Sequence, residues 1–196
     1  MNDRHNSAQV VNNTGNPKPI FLVGMMGAGK TTIGRSLARL LGWQFVDLDH
    51  EIEARCGVRI SVIFDIEGEQ GFRKREHSLL DEWSKTPHIV LATGGGAVLS
   101  EENRRILQSR GTVVYLQANV DELYRRVEKD KNRPLLQTEN PKQRLHELLA
   151  CREPLYATVA HMTFETGKLP IYQTTRRLYE QLLECGFIAT TKPFEG

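Results

Sequence analysis

The chain has 196 residues, of which 39% are hydrophobic and 26% charged, and its formal net charge is +2 at pH 7. That length suits one domain with a substantial core and leaves no room for a second catalytic domain. The basic residues are dispersed along the sequence, so the charge pattern does not indicate a nucleic-acid partner. No apolar run reaches the roughly 18 residues that a membrane-spanning helix needs, and we therefore expect no membrane partner.

The cysteines and the chain ends bear on compartment and domain limits. The three cysteines are far apart and lack the spacing of a zinc site or a disulfide framework: Cys56, Cys151 and Cys185. We therefore expect a reduced, cytoplasmic protein. The first residues are rich in Asn, Ser and Gly and lack the apolar core of a secretory signal. We predict a disordered extension over 1–18, a single domain over 19–187 and a disordered tail over 188–196.

The first predicted element is an apolar strand over 20–23, which runs into the octapeptide 24–31. The octapeptide has the pattern G-x-x-x-x-G-K-T, in which glycines let backbone N–H groups converge on phosphates at a helix N-terminus. The pattern lets Lys30 reach the terminal phosphates and places the Thr31 hydroxyl where it can ligate Mg²⁺. A chance glycine-rich turn is disfavoured by the strand before it and the amphipathic helix, 30–41, after it. The chain is therefore predicted to bind a nucleoside triphosphate.

Further strand-like runs alternate with helical patterns along the chain, which indicates a parallel sheet covered by helices on both faces. The other predicted strands are 44–48, 89–92, 112–117 and 162–164. The other predicted helices are 50–55, 61–65, 68–83, 102–109, 120–128, 141–160 and 171–185. Between 129 and 142 the chain is polar, carries two prolines and shows no period, so it is interpreted as a mobile loop and a candidate lid.

The second predicted strand ends in two carboxylates, Asp47 and Asp49. If the chain is still extended there, both side chains point the same way and can face the phosphates together. One could then hold the water shell of the metal while the other accepts a hydrogen bond from a substrate hydroxyl. The alternative is that one of them only caps the following helix, because Asp is a common N-cap residue.

Glycines and arginines supply the remaining candidates. Three glycines, Gly94, Gly95 and Gly96, follow the third strand, where bare backbone could approach a ligand; a tight turn alone would also explain them. Arg73 and Arg152, which show no obvious structural partner, suit a carboxylate clamp because the guanidinium fork matches a carboxylate.

Two of the arginines could also have no part in ligand binding. For Arg73 the alternative is a surface pair with Glu76, three residues further along the same helix, in which both side chains lie off the apolar face. Arg133, in the predicted lid, is a candidate for approaching the transferring phosphoryl group, against a plain exposed position in a loop.

Six motifs in this order resemble those of the shikimate kinase family. They are 24–32, Asp47-Leu48-Asp49, Phe72-Arg73-x-x-Glu76, Gly94-Gly95-Gly96, Arg133-Pro134-Leu135-Leu136 and Arg152-x-Pro154-Leu155-Tyr156. The resemblance implies a P-loop kinase domain of the α/β class, with three α/β/α layers and a five-stranded parallel sheet in the order 2-3-1-4-5. It also implies that ATP phosphorylates the 3-hydroxyl of shikimate, with Mg²⁺ as cofactor, in aromatic amino acid biosynthesis.

The same resemblance implies roles for single residues. The nucleotide would be bound by Gly27, Ala28, Gly29, Lys30, Thr31, Thr32, Arg126 near the adenine, and Arg133 from the lid. The metal would be ligated by Thr31 and, through water, by Asp47. Shikimate would be bound by Asp49, Arg73, Gly95, Gly96 and Arg152. The catalytic residues would be Lys30, Asp49 and Arg133.

Two other functions stay open at this point. One is a kinase of the same fold that acts on gluconate or a nucleoside monophosphate, although no residues indicate the base pocket that a nucleotide acceptor needs. The other is a nucleotide-binding regulatory domain without transfer activity. The intact candidate residues argue against it: Lys30, Thr31, Asp47, Asp49 and Arg133. We expect a monomer, because the sequence shows no sign of a large exposed apolar patch.

Overall fold

The computed structural model describes residues 17–128, 134–136 and 138–189. The strands in these ranges are β1 Ile20–Val23, β2 Gln44–Asp47, β3 Ile89–Ala92, β4 Thr112–Gln117 and β5 Met162–Glu165. The α-helices are α1 Lys30–Leu41, α2 Leu48–Cys56, α3 Ile60–Trp83, α4 Glu101–Arg110, α5 Val120–Val127, α6 Pro141–Val159 and α7 Ile171–Glu184. Short 3₁₀ turns cover Ala97–Leu99 and Pro134–Leu136.

The five strands form one parallel sheet in the order β2-β3-β1-β4-β5, which confirms the predicted fold. β1 lies at the centre and all four of its residues are buried. Because all strands run the same way, their carboxyl ends share one edge of the sheet. The loops that carry the predicted site residues after β1, β2 and β3 therefore meet at that edge.

Two apolar clusters cover the two faces of the sheet. Side chains alternate along β1, so that Ile20 and Leu22 enter one cluster and Phe21 and Val23 enter the other. The first cluster is closed by residues of α1, α5, α6 and α7, and the second by residues of α2, α3, α4 and the end of α6. The result is the predicted three-layer α/β/α arrangement.

The largest differences from the predicted elements lie around α2 and α3. β2 ends at Asp47 rather than 48, and α2 begins at Leu48 because the Asp47 carboxylate caps it. The two helices predicted over 61–65 and 68–83 are confirmed as the two helical segments of α3, which meet at a kink at the non-helical Gly68, whose φ is 68° and ψ −175°. The other boundaries differ by one or two residues or not at all, as is usual where helix ends fray.

The predicted domain limits stay predictions. Ile188, one residue beyond the predicted limit at 187, is 8% exposed and packs into the first apolar cluster. The predictions for 1–16 and 190–196, and for 129–133 and 137 of the lid, lie outside the described residues. Within the described ranges, no helix is both long and apolar enough to cross a bilayer.

Candidate active site

A pocket of about 1100 Å³ opens at the carboxyl edge of the sheet. The loops after β1, β3 and β5 and the junction of β2 with α2 line it, together with residues of α3, α5 and α6. All the predicted site residues that the structure describes lie in its wall, and Arg133 lies outside the described residues. A pocket of this size can hold a nucleotide and a small second molecule at once.

The phosphate-binding loop joins β1 to α1 on one side of the pocket. Gly29 caps α1 with φ 95°, a left-handed conformation that favours glycine, and no side chain caps this helix end. No acidic residue of α1 itself lies in its first turn, so the positive end of the helix dipole at the pocket favours an anion. Lys30 Nζ donates to the carbonyls of Gly24 at 2.8 Å and Met25 at 3.0 Å. The loop therefore offers N–H groups and one ammonium group to an anion.

Asp47 serves both the helix and the pocket. Its Oδ1 accepts from the backbone N–H groups of Asp49 at 3.1 Å and His50 at 3.3 Å, and its Oδ2 accepts from the Thr31 hydroxyl at 2.6 Å. The expectation of extended chain at Asp49 is wrong, because Asp49 lies in the first turn of α2. The cap and the site were therefore not alternatives.

The oxygen atoms of Thr31 and Asp47 suit a hard divalent cation. Mg²⁺ prefers oxygen ligands and usually keeps several waters next to phosphate oxygens. Among the described residues there is no group of three or more His, Cys, Asp or Glu that could hold a metal by itself. A hydroxyl and a carboxylate 2.6 Å apart beside the phosphate-binding loop fit a cation that arrives with a nucleotide.

Arg73 is held by two carboxylates, so the prediction that it has no structural partner is wrong. Its Nη1 donates to Glu76 Oε2 at 2.7 Å and its Nη2 to Glu69 Oε1 at 3.0 Å. Burial lowers the pKa of Arg73, but Glu76 and Glu69 outweigh burial and raise that pKa above its usual value. The guanidinium is therefore charged, and the two carboxylates fix its orientation before any substrate arrives.

Glu76 is fully buried, against the prediction that it lies off the apolar face of its helix. Burial raises the pKa of Glu76 above its usual value, and the Arg73 charge opposes part of the rise. Among the described residues nothing hydrogen-bonds its Oε1. A Cβ built on Gly94 would lie 2.6 Å from that atom and 2.8 Å from Asp49 Oδ1, so the two carboxyl groups flank one point of the pocket wall.

The glycines after β3 bring bare backbone against both arginines. A Cβ built on Gly96 would lie 2.7 Å from Arg73 Nη1, so a side chain there would displace the guanidinium. The Gly95 carbonyl accepts from Arg152 Nη1 at 3.4 Å and from the Tyr156 hydroxyl. A tight turn alone does not explain Gly94 and Gly96, because a side chain at either position would meet charged groups of the pocket wall, whereas Gly95 has room for a Cβ.

Arg126 lies in the pocket wall beside the phosphate-binding loop. Its Nη1 donates to the Gly27 carbonyl at 3.1 Å, and its Nη2 donates to the carbonyls of Thr166 and Gly167, each at 3.0 Å. It therefore joins the phosphate-binding loop to the loop after β5.

The reasoning from sequence missed two residues near the site. Position 76 is four residues from both Phe72 and Leu80 of the buried face of α3, and that spacing could have placed Glu76 among them. Tyr156 was quoted only as part of a motif, although it is fully buried and bonded to Gly95. Its spacing of four residues from Arg152 was the available signal.

Known proteins resemble this chain over most of its length. The sequence model of the shikimate kinase family matches residues 26–183. The shikimate kinase of Bordetella avium is 62% identical over 164 residues, which are 84% of this chain and 78% of that protein. The shikimate kinase of Ralstonia nicotianae is 57% identical over 169 residues, covering 86% and 89% of the two chains.

Solved structures give the same result. The shikimate kinase from Acinetobacter baumannii in complex with shikimate has a TM-score of 0.84 and 50% identity, and covers 86% of this chain and 94% of that one. The fold alone extends further, to an unliganded sugar kinase from Janibacter with a TM-score of 0.58 and 18% identity.

Proposed function

The chain belongs to the shikimate kinase family, and on that premise we propose how its own residues carry out the family's reaction. The enzyme uses ATP to phosphorylate the 3-hydroxyl of shikimate, which gives shikimate 3-phosphate and ADP in aromatic amino acid biosynthesis. One observation supports the assignment of roles above all. A phosphate-binding loop, a carboxylate at Asp49 and two arginines against adjacent glycines line one pocket.

The nucleotide half of the pocket is assigned to the phosphate-binding loop. We assign the phosphates to the N–H groups and side chains of residues 27–32 at the start of α1, where the helix dipole favours anions. Lys30 would exchange its carbonyl partners in the loop for phosphate oxygens. Arg126 would lie beside the adenine, and Arg133, outside the described residues, would approach the transferring group.

A kinase that uses ATP generally needs a divalent metal, and we assign that role to Mg²⁺. Thr31 would hold it through the hydroxyl and Asp47 through water, consistent with the oxygen atoms that these two residues place together. When bound, Mg²⁺ neutralises charge on the phosphate oxygens.

The acceptor half is assigned to the residues around the glycines after β3. The fork of Arg73, fixed by Glu76, and that of Arg152 would hold the carboxylate of shikimate, with the backbone of Gly95 and Gly96 alongside. Asp49 would accept a hydrogen bond from the 3-hydroxyl and can take its proton. Phosphoryl transfer needs little covalent help, so positioning in line and charge from Lys30 would supply most of the catalysis.

We also propose that the protein is a monomer and resides in the cytoplasm. All three cysteines are free thiols, which suits a reducing compartment: Cys56, Cys151 and Cys185. Exposed ion pairs such as Arg176 with Glu180 along α7 keep the surface charged with both signs mixed. No nucleic-acid partner is expected from such a surface.

The test is release of ADP by purified protein with ATP, Mg²⁺ and shikimate, against mixtures that lack shikimate or contain gluconate or AMP instead. We expect ADP release that depends on shikimate and falls about 100-fold or more in Lys30→Met. Asp49→Asn should lose turnover while keeping ATP binding. Lys85→Met, which removes a lysine paired with Asp81 outside the pocket wall, is the matched control. Turnover with AMP or gluconate but not shikimate would contradict the proposal.

A further inference from the structure

Tyr156 is a buried residue behind the pocket that has no role in the scheme above. It is fully buried, and its hydroxyl donates to the Gly95 carbonyl and lies 3.8 Å from Met25 Sδ. Its ring stacks on Tyr115 with centroids 5.1 Å apart. Tyr156 does not line the pocket, whereas Arg152, one turn earlier on the same face of α6, does.

The bond to Gly95 sets the direction of the next amide group. The C=O of Gly95 and the N–H of Gly96 belong to one planar trans peptide and point to opposite sides of the chain. Since Tyr156 holds the carbonyl toward the core, the N–H of Gly96 is directed away from the core. Arg73 lies against Gly96, and among the described residues no acceptor takes up that N–H.

The same bond affects Arg152. The Gly95 carbonyl has two donors, the Tyr156 hydroxyl and the more distant Arg152 Nη1 at 3.4 Å. Burial raises the pKa of Tyr156 above its usual value, so the hydroxyl remains a donor throughout the working pH range. Arg152 also hydrogen-bonds the Tyr156 hydroxyl, so this hydroxyl and the Gly95 carbonyl together position Arg152, which lines the pocket. Without the hydroxyl, Arg152 loses one of these two contacts.

We propose that Tyr156 is a positioning residue for the carboxylate end of the acceptor. Its hydroxyl holds the Gly95–Gly96 peptide so that the Gly96 N–H joins Arg73 and Arg152 as a third donor to the substrate anion, and it helps to position Arg152 in the pocket wall. Tyr156 acts through these groups and does not touch the substrate. The inference rests on the proposed function, because it takes the acceptor to be shikimate.

The test compares Tyr156→Phe with Tyr115→Phe. Both variants remove one buried hydroxyl from the same stacked pair, but the Tyr115 hydroxyl interacts with Glu153 rather than with the glycines. We expect Tyr156→Phe to raise the KM for shikimate about three- to tenfold, with the KM for ATP unchanged and kcat within about twofold, as for one lost hydrogen bond. Tyr115→Phe should keep all three constants.

A second measurement depends on no variant. In ¹⁵N-glycine-labelled wild-type protein, shikimate should shift the Gly96 amide resonance, whereas the analogue with its carboxylate reduced to a primary alcohol should shift it much less.

The affinity of Tyr156→Phe for that alcohol should equal that of the wild type.

Each contrary result has its own meaning. An unchanged shikimate KM in Tyr156→Phe, equal rises in both KM values, or an unmoved Gly96 resonance in a wild type that turns over shikimate would overturn the inference alone. A wild type without turnover of shikimate would overturn the proposed function and the inference together.

Discussion

At the scale of single residues, Glu76 shows how an acid on an apolar helix face becomes part of a site. It is fully buried and bonded to Arg73, and burial raises its pKa above its usual value. A buried ion pair stabilises a fold weakly, because desolvation offsets much of the attraction. The bond to Glu76 instead holds Arg73 in one orientation before shikimate binds.

The pKa of Glu76 makes a prediction about stability. An acid with a raised pKa in the folded state binds a proton more tightly there than when unfolded. The stability that proton binding at Glu76 contributes to the folded state is therefore fully present below the ordinary pKa of Glu. It is lost as pH rises through the folded-state pKa. Relative to wild type, the free energy of unfolding of Glu76→Gln should increase with pH above about 4.5, the ordinary pKa of Glu.

Urea unfolding at several pH values measures this difference. Glu69→Gln removes the exposed partner of the same arginine and is the control, since an exposed pair contributes little. The free energy of unfolding of Glu69→Gln, plotted against pH, should run parallel to that of the wild type. A Glu76→Gln curve that is also parallel would show that the burial of this carboxyl has no linkage to protons.

At the scale of elements, the junction of β2 and α2 combines two duties in Asp47. One carboxylate oxygen caps α2 and the other accepts from Thr31 at the start of α1. The junction therefore couples the start of a helix to the position of the proposed metal site. A change at Asp47 can affect both, and the two effects can be separated by chemistry.

Asp47→Asn and Asp47→Ala should separate the cap from the metal site. Asn caps a helix as well as Asp does, so Asp47→Asn should keep the free energy of unfolding within about 0.5 kcal/mol while activity falls about 10- to 100-fold. Asp47→Ala should lose that activity and also about 1 kcal/mol of stability. Urea unfolding and the ADP assay give the two readings.

Ser100→Ala serves as the matched control, because Ser100 caps α4 through its side chain and does not line the pocket. It should lose comparable stability and keep its turnover. Full activity in Asp47→Asn would remove the carboxylate charge from the mechanism.

At the scale of the whole molecule, the pocket is assembled by the segments that follow four of the five strands. Ligands that fill it would connect the segments after β1, β2, β3 and β5, in addition to the sheet and to bonds such as those of Arg126. Binding to the folded state alone stabilises it by mass action. The stability of the molecule should therefore report on both halves of the pocket.

A non-hydrolysable ATP analogue with Mg²⁺, at about 100 times its Kd, should stabilise the protein by about 2.7 kcal/mol and raise Tm by about 5 to 10 °C. Shikimate, added to this mixture, should raise Tm further. Lys30→Met should lose the first shift and keep the second, as read by differential scanning calorimetry. For a monomer, Tm should not depend on protein concentration, and a Tm that rises with concentration would contradict that assignment.

The fold was predictable from sequence because its signals are local. The bounds predicted for β1, β3, β4 and α1 are those of the structure, since short apolar runs and a helical period are properties of neighbouring residues. The strand order was expected only from the resemblance of six motifs to a family, and the structure confirms it. The prediction of extended chain beyond Asp47 was wrong, because the Asp47 side chain caps α2 and so ends the strand.

By itself, the sequence determined the phosphate-binding loop, the α/β class and the family, because each is encoded in contiguous or ordered motifs that need no knowledge of packing. Only the tertiary structure decided that Glu76 is buried against Arg73, that Gly96 lies against the same guanidinium and that Tyr156 holds Gly95. The last contact joins residues 61 positions apart, and such pairs meet only because α6 packs against the segment that follows β3. Spacing along a chain reports its period, whereas burial and orientation depend on which elements the fold brings together.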